Sequence, residues 1–234
     1  MRLQKYLASC GVSSRRNAEK MISEGRISVN GAVVTEMGIQ IDETKDQVCV
    51  DGRRVFQETE KHYLAYNKPM FEVTTAHDPE GRQTVMEHFA DYPVRLFPVG
   101  RLDYDSEGIL ILTNDGEMMN RMLHPSNEVE KVYIARVSNH ITEEELQALQ
   151  KGVIIDGRMT SPAKVRLIRS DAFSTDLKIT IHEGRNRQVR KMVQAIGHQV
   201  VHLKRIQFGP VVLGNLPSGM WRKLTDEEIG KLRT

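Results

Sequence analysis

The chain has 234 residues, of which 39% are hydrophobic and 27% are charged. This length allows one large domain or two smaller ones, and this composition excludes a wholly disordered chain. With 33 Lys and Arg residues against 31 Asp and Glu residues, the net charge is +2, so only an uneven distribution of charge would indicate a nucleic-acid partner. The two cysteines, Cys10 and Cys49, are too few for a disulfide framework or a four-thiolate metal site.

The sequence shows no segment that would direct the chain to a membrane. No apolar run reaches the ~18 residues of a membrane span, and residues 1–6 lack the apolar core of a signal peptide. We therefore expect a soluble, cytoplasmic protein in a reducing compartment, without membrane contact and with a monomer as the default state.

The first 55 residues predict two short helices followed by small strands. Ser13 or Ser14 is placed to cap the second helix, and Gly25 ends it. Asn30-Gly31 and Asp51-Gly52 are turn sequences between short apolar segments, which is typical of hairpins. The apolar positions at helical spacing are Leu3, Tyr6 and Leu7 in the first helix and Ala18, Met21 and Ile22 in the second.

This segment is also basic. Six Lys and Arg residues stand against Glu19 and Glu24 in the first 30 residues, a net charge of +4. The six are Arg2, Lys5, Arg15, Arg16, Lys20 and Arg26.

Residues 57–61 are polar and contain nothing to bury, so they predict a linker between domains at 1–60 and 61–234. In the second domain, the continuous apolar run Ile109–Leu112 predicts a buried strand, and further strands and helices alternate irregularly. This mixture predicts an α+β domain with a mixed, largely antiparallel sheet and flanking helices. Further strands are predicted at 63–66, 131–137, 165–168 and 177–181, and helices after the capping boxes that begin at Thr142 and Thr225.

The loop 100–108 enters the buried strand and is a good position for a rigidly held side chain. Its acidic residues imitate a calcium loop, but position 12 is Asn114 instead of a carboxylate and an apolar strand follows, so calcium is rejected. On spacing alone, Asp103 is best interpreted as a turn residue that hydrogen-bonds its own backbone.

A second segment, 183–192, predicts a helix that starts at Arg187 and has one apolar and one basic face. From residue 181 to 206, six basic residues stand against one acid, a net charge of +5. Two such basic islands in a nearly neutral protein favour a phosphate backbone as the partner. The basic face consists of Arg187, Arg190, Lys191 and Gln194, and the apolar face of Val189, Met192, Val193 and Ile196.

The sequence gives no sign of a metal or a nucleotide cofactor. His198 and His202 have a spacing seen in metal sites, but Val200-Val201 between them indicates a strand and no third ligand is near. We interpret them as structural or RNA-facing histidines. Neither a P-loop nor a dinucleotide-binding glycine pattern is present.

The chain resembles the RNA pseudouridine synthases, in the branch that modifies uridines of bacterial ribosomal RNA. The motifs that carry this resemblance are Gly100–Asp103, Gly108–Leu112, Thr113–Gly116, Lys131–Tyr133 and Glu183–Arg190. Its N-terminal part resembles an S4 RNA-binding domain, at Leu3–Lys5, Gly11–Arg16 and Gly25–Gly31. The two resemblances cover nearly the whole chain.

The resemblance implies a metal-free and cofactor-free isomerisation, in which a uridine loses its N1 glycosidic bond and is rejoined through C5. Asp103 matches the catalytic aspartate, which attacks either the ribose or the base, and Arg190 matches the arginine that pairs with it. Tyr133 matches the tyrosine that lies against the target base, and it is a candidate for removing the C5 proton. Arg101 matches an arginine that occupies the space of the extruded base.

Nine of the other basic residues of the two islands are expected to contact RNA. They are Arg2, Lys5, Arg15, Arg16, Lys20, Arg26, Arg185, Arg187 and Lys191. Ser106 stands where the family often has Thr and keeps the hydroxyl, while Asn186 lies at a position that varies in this branch. The S4 segment and residues 184–188 look more like the type that acts on 23S RNA than the type that acts on 16S RNA. The partner is therefore expected to be ribosomal RNA, free or within an assembling particle.

Two alternatives stay open at this point. A non-catalytic RNA-binding protein or ribosome-assembly factor would explain both basic islands without an active aspartate. A hydrolase that uses Asp103 and Asp105 as paired carboxylates would leave both islands unexplained.

Overall fold

A computed structural model describes residues 1–233, which divide into two compact units. The first unit comprises residues 1–61 with 92–95 and 114–116. The second comprises residues 62–91, 96–113 and the chain from Glu117 onward. None of the helices in the described part of the chain has the length and apolar character needed to cross a membrane.

The first unit has the predicted arrangement of two short helices followed by small strands. Ser14 caps the second helix, because its hydroxyl oxygen accepts a hydrogen bond from the Asn17 amide at 3.2 Å. The four strands form an antiparallel sheet in the order β2-β1-β3-β4. The elements are α1 (Leu3–Ser9), α2 (Arg15–Ser23), β1 (Ile27–Val29), β2 (Ala32–Val34), β3 (Val48–Val50) and β4 (Arg53–Arg54).

All six apolar positions predicted at helical spacing in α1 and α2 are buried. They pack with Ile27, Ile41 and Val48 into one core. The core of this unit is therefore formed by the residues that periodicity identified.

The second unit contains eleven strands, four α-helices and two 3₁₀ helices, Val85–Phe89 and Pro125–Asn127, within its described residues. The strands are β5 (Tyr63–Lys68), β6 (Phe97–Val99), β7 (Glu107–Thr113), β8 (Lys131–Ser138), β9 (Ile154–Ile155), β10 (Arg158–Met159), β11 (Lys164–Ser170), β12 (Ser174–Ile181), β13 (Val200–Phe208), β14 (Val211–Val212) and β15 (Trp221–Lys223). The α-helices are α3 (Gly116–Leu123), α4 (Glu143–Lys151), α5 (Gln188–Ala195) and α6 (Asp226–Arg233).

The main sheet of this unit has the order β11-β12-β8-β13-β7-β5-β15, with β14 beside β13 and β6 beside β7. Its pairs are antiparallel except for β13 with β7, so the predicted mixed, largely antiparallel sheet is confirmed. The parallel pair depends on Gly108, since a Cβ there would collide with the backbone carbonyl of Arg205.

The buried strand predicted from Ile109–Leu112 is the centre of β7, and these four side chains are completely buried. Ile109 and Ile111 pack in one core with residues of α3 and α6. The capping boxes also form as predicted. Thr142 and Glu145 exchange hydrogen bonds at the start of α4, and Thr225 and Glu228 do so at the start of α6.

One helix differs from the prediction. Helix α5 begins at Gln188, and Arg187 precedes it in a left-handed conformation with φ of 51°. The Gln188 side chain explains this start: it accepts from the Arg185 amide at 3.0 Å and donates to Glu183 at 2.5 Å. The chain turns before α5, so Arg187 does not continue the basic face of the helix.

Candidate active site

The loop that carries Asp103 is held by a buried lysine at the end of β5. Lys68 is completely buried, and its Nζ donates to the carbonyl oxygens of Asp103 at 3.2 Å, Ser106 at 2.9 Å and Pro69 at 2.8 Å. Burial lowers the pKa of Lys68 to about 8, while Glu72 and then Asp103 oppose the shift. The strand predicted at 63–66 ends before Lys68, and no motif assigns this lysine a role.

The other carbonyl groups of this loop are also hydrogen-bonded. The Leu102 carbonyl accepts from Thr74 Oγ1 at 2.8 Å, and the Tyr104 carbonyl accepts from the Phe71 amide at 2.7 Å. The Asp105 carbonyl accepts from Arg190 Nη2 at 2.7 Å. Every carbonyl oxygen from residue 102 to 106 therefore accepts a hydrogen bond. A loop held in this way can present Asp103 in one geometry without rearranging.

The two carboxylates of the loop have different partners. Asp105 accepts two hydrogen bonds from Arg187, at 3.0 and 2.9 Å, and lies 3.4 Å from Arg190. Arg187 and then Arg190 hold the pKa of Asp105 below its usual value against the effect of burial. Asp103 lies 4.0 Å from Arg187, and its side chain keeps 32% of its exposure.

The predicted pair of Arg190 with Asp103 is therefore replaced in this structure by a pair of Arg190 with Asp105. The reason is that two backbone carbonyls fix the Arg190 guanidinium, those of Val200 at 3.0 Å and Asp105 at 2.7 Å. Arg187, which the sequence analysis assigned to RNA binding, is the arginine within 4.0 Å of Asp103.

Asp103 opens into a cavity of about 260 Å³ that also contains other predicted site residues. Tyr133 enters it from β8 and is 8% exposed. Among the described residues, Arg190 is not part of the lining. The predicted residues that line the cavity are Arg101, Asp103, Tyr133, Arg185 and Arg187.

Two further cations, Lys131 and Arg205, line the same cavity and are 9% and 2% exposed. Lys131 donates to the carbonyls of Val129 at 3.1 Å and His182 at 3.0 Å. Arg205 donates from Nε to the Ile109 carbonyl at 2.8 Å, and its Nη2 has no hydrogen-bond partner within residues 1–233. Burial and the nearby Arg205 lower the pKa of Lys131 to about 8.

These two cations give the cavity wall a positive potential that suits an electron-rich ligand. The sequence motifs assign neither of them a role in the site. A signal was present, because Lys131 stands in a strand of otherwise mainly apolar residues two positions before Tyr133.

Other predicted RNA-binding residues of the second unit contact the β9–β10 hairpin. Arg185 donates to the carbonyls of Ile155 at 2.6 Å and Met159 at 3.2 Å. Lys191 lies 2.7 Å from Asp156. These contacts position the hairpin beside α5, and RNA binding by both residues stays a prediction.

In the first unit, Arg26 donates two hydrogen bonds to Asp51, at 3.0 and 2.6 Å, and Lys20 lies 3.7 Å from Glu24. Arg16 is exposed. A surface cavity of about 410 Å³ is lined by Met1, Arg2, Gln4, Lys5, Arg15 and Glu19. The predicted basic residues are thus present on the surface of this unit, partly neutralised by acids.

The two histidines with metal-like spacing have separate carboxylate partners. His198 lies 3.2 Å from Glu145, and His202 lies 3.4 Å from Glu107. Within residues 1–233, no three His, Cys, Asp or Glu side chains are grouped as metal ligands.

Comparison with known proteins identifies both parts of the chain. A sequence model of the RNA pseudouridylate synthase family matches residues 62–195, and one of the S4 domain matches residues 1–48. An uncharacterized RNA pseudouridine synthase of Aquifex aeolicus is 44% identical over 99% of this chain and 93% of its own length. The ribosomal large subunit pseudouridine synthase B of Bacillus subtilis is also 44% identical, over 99% of this chain and 95% of its own.

A solved structure described as a pseudouridylate synthase aligns with a TM-score of 0.71 and 33% sequence identity, covering 99% of both chains. The chain therefore belongs to the RNA pseudouridine synthases and carries an N-terminal S4 domain. The resemblance stated from the motifs is confirmed, and both the hydrolase and the non-catalytic alternatives are set aside.

Proposed function

We propose that this enzyme converts a uridine of 23S ribosomal RNA into pseudouridine, with Asp103 as the nucleophile. Relatives named ribosomal large subunit pseudouridine synthase B in Bacillus subtilis and Vibrio cholerae, 44% and 38% identical, support the large-subunit substrate. The observation that carries the role of Asp103 is its loop, in which every carbonyl from 102 to 106 is hydrogen-bonded at the edge of a cavity.

In the reaction, an Asp103 oxygen bonds either to C1′ of the ribose or to the base, and the N1–C1′ bond breaks. The electron pair of that bond goes to the base, whose oxygens become more negative. After the base turns, C5 bonds to C1′ and the aspartate leaves. The C5 proton passes to solvent, and N1 takes up a proton in exchange. No atom or electron beyond those of the uridine is consumed.

The cavity residues have distinct roles in this proposal. Arg187 places a positive charge 4.0 Å from the Asp103 carboxylate. Tyr133 lies against the base, and Lys131 and Arg205, which line the cavity, stabilise negative charge that develops on its oxygens, because fixed and nearly buried charges act more strongly than charges in bulk water. Arg101 is exposed and takes the place of the extruded base. Its contacts there offset part of the cost of base flipping, which is roughly a few kcal/mol.

The two parts of the chain divide the work. Residues 1–60 bind the RNA through their exposed basic side chains, and residues 61–234 perform the chemistry. Arg190 acts as a positioning residue, because its guanidinium holds the Asp105 carbonyl and lies 3.4 Å from the Ser106 hydroxyl.

The test is release of tritium from unmodified ribosomal RNA labelled at uridine C5. We expect the wild type to release tritium from 23S RNA and Asp103→Asn to be at least ~10⁴-fold slower, as is usual for loss of a nucleophile. Asp105→Asn is the matched control, and we expect it to stay within about tenfold, or ~1.4 kcal/mol, of the wild type.

Filter binding of both variants to the same RNA establishes that a slow variant still binds. Normal release by Asp103→Asn would contradict its role as the nucleophile. Release from 16S RNA alone would contradict the proposed substrate and leave the role of Asp103 intact.

A further inference from the structure

An exposed pair of aromatic side chains lies next to Asp103. Tyr104 follows Asp103 directly in the chain, and its ring lies 5.5 Å from that of Phe71 in an edge-to-face arrangement. Phe71 is 60% exposed and Tyr104 is 42% exposed. The fold therefore gains little from burying either ring.

The backbone of Phe71 is also unusual. Its φ is +70°, in the left-handed region, which is unfavourable for a bulky residue. The Phe71 amide donates to the Tyr104 carbonyl at 2.7 Å, a hydrogen bond that glycine would make equally well without the strain. A strained, exposed aromatic residue that is hydrogen-bonded to the loop of Asp103 points to a role in binding.

An arginine extends this pair. The Arg82 guanidinium lies 5.8 Å from the centre of the Tyr104 ring. Asp78 holds it in place with two hydrogen bonds, at 3.0 and 2.8 Å, and Glu80 lies 3.0 Å away. Because these acids neutralise its charge, Arg82 contributes a flat stacking surface more than an attraction for phosphate.

Flat exposed aromatic and guanidinium groups are the surfaces on which proteins stack the bases of single-stranded RNA. We propose that Phe71 and Tyr104, with Arg82 beside them, form a stacking platform for a nucleotide adjacent to the target uridine. This inference rests on the proposed function, in which Asp103 acts on an RNA uridine. A uridine that leaves its stack exposes its neighbouring base, and the platform replaces the lost stacking partner.

The test is a double-mutant cycle between the protein and the RNA. The probe is a fragment of 23S RNA that contains the mapped target uridine, with either its 5′ or its 3′ neighbour made abasic. Binding is measured by fluorescence anisotropy in the Asp103→Asn background, which prevents turnover. Phe71→Ala and Tyr104→Ala are each compared with Phe173→Ala, a control that removes an exposed ring elsewhere in the second unit (86% exposed).

We expect each platform variant to bind the intact fragment about tenfold more weakly, the usual order for loss of one base–aromatic stack. With the unsubstituted platform, one of the two abasic fragments should bind about tenfold more weakly than the intact fragment. With Phe71→Ala or Tyr104→Ala, that abasic fragment should bind no more weakly than the intact fragment does. Phe71→Trp and Tyr104→Phe should restore binding, which distinguishes stacking from a folding defect.

Equal losses on the intact and both abasic fragments, or losses no larger than that of Phe173→Ala, would overturn the platform. The proposed function fails separately. If Asp103→Asn released tritium at the wild-type rate while the cycle still showed coupling, the platform would stand and the role of Asp103 as the nucleophile would not.

Discussion

The two units use their basic residues in different ways. In the first unit these residues lie on the surface, where the side chains of Lys20 and Arg26 keep 72% and 45% of their exposure. In the second unit Lys68, Lys131 and Arg205 are 0%, 9% and 2% exposed. The surface residues pair with acids, whereas the hydrogen bonds described for the buried ones go to backbone carbonyl oxygens.

This difference separates two functions of positive charge. An exposed cation costs little to place and acts through the total field, so its exact position matters less. A buried cation loses its hydration and is retained only where its geometry offsets that loss. In this enzyme the first kind is proposed to hold RNA, and the second kind holds the Asp103 loop and lines the cavity.

Of the substitutions that test this difference, Lys68→Met should have the largest effect on stability and turnover. The substitution removes the one ammonium group that donates to the carbonyls of Pro69, Asp103 and Ser106, so we expect a loss of about 3–5 kcal/mol of unfolding free energy. We also expect turnover to fall ~10²-fold as the loop loosens.

Urea unfolding followed by the fluorescence of Trp221, the single tryptophan of the chain and part of the second unit, measures the loss. Lys178→Met, at an exposed position of β12, is the control and should stay within about 0.5 kcal/mol of the wild type. Equal stability of the two variants would show that Lys68 does not brace the loop.

The second largest effect should be a difference between the two units in how stability depends on pH. The pKa values of Lys68 and Lys131 are lowered to about 8 in the folded protein, against ~10.4 for an unfolded lysine. Above the lower value the folded state has released protons that the unfolded state still binds, so their contribution to stability increases with pH across this window. The pKa of Asp51 is lowered by hydrogen bonds from Arg26, so its contribution is instead lost as the pH falls through the acidic range.

We therefore expect the unfolding free energy of the second unit to rise between about pH 7 and pH 9.5. In Lys131→Met this rise should be smaller than in the wild type, by on the order of 2 kcal/mol. Trp221 fluorescence in urea reports the difference. An identical gain in both proteins would mean that Lys131 titrates as an ordinary exposed lysine.

The smallest effect should come from the surface cations. Each phosphate contact contributes about 0.7–0.9 to the slope of log affinity against log salt, so replacing both Arg15 and Arg16 by Ala should lower the slope by about 1.5. Arg26→Ala should lower it less, because Arg26 is already paired with Asp51 at 2.6 Å. Filter binding to 23S RNA over a range of salt measures both. A slope unchanged in the double variant would remove these arginines from the RNA surface.

Much of the fold follows from local patterns in the sequence. The Ser14 cap, the Asn30-Gly31 turn, the buried run in β7 and the two capping boxes each depend on residues a few positions apart. Motifs also identified Asp103, Tyr133 and Arg101 as members of one site, and all three line one cavity. These features are predictable because short-range sterics and hydrogen bonding determine them.

The partners of the site residues were not predictable in the same way. Asp105 and Arg187 are 82 positions apart, and the alignment of their side chains depends on where β7 and α5 are placed by packing. Arg190 lies only three positions from Arg187, yet two backbone carbonyls turn it toward Asp105. Lys68 lies outside the predicted strand 63–66, and only the fold places its amine against the carbonyls of the Asp103 loop.

The sequence by itself determined the local elements named above and the membership of the pseudouridine synthase family, and its motifs pointed to one aspartate, Asp103. The tertiary structure decided which arginine lies beside that aspartate, which lysine holds its loop and which cations line the cavity. The physical reason is range. Secondary structure depends on residues that are close along the chain. The strength of a hydrogen bond or an ion pair changes when its atoms move by tenths of an ångström, and only the packing of the sheet and helices determines these distances.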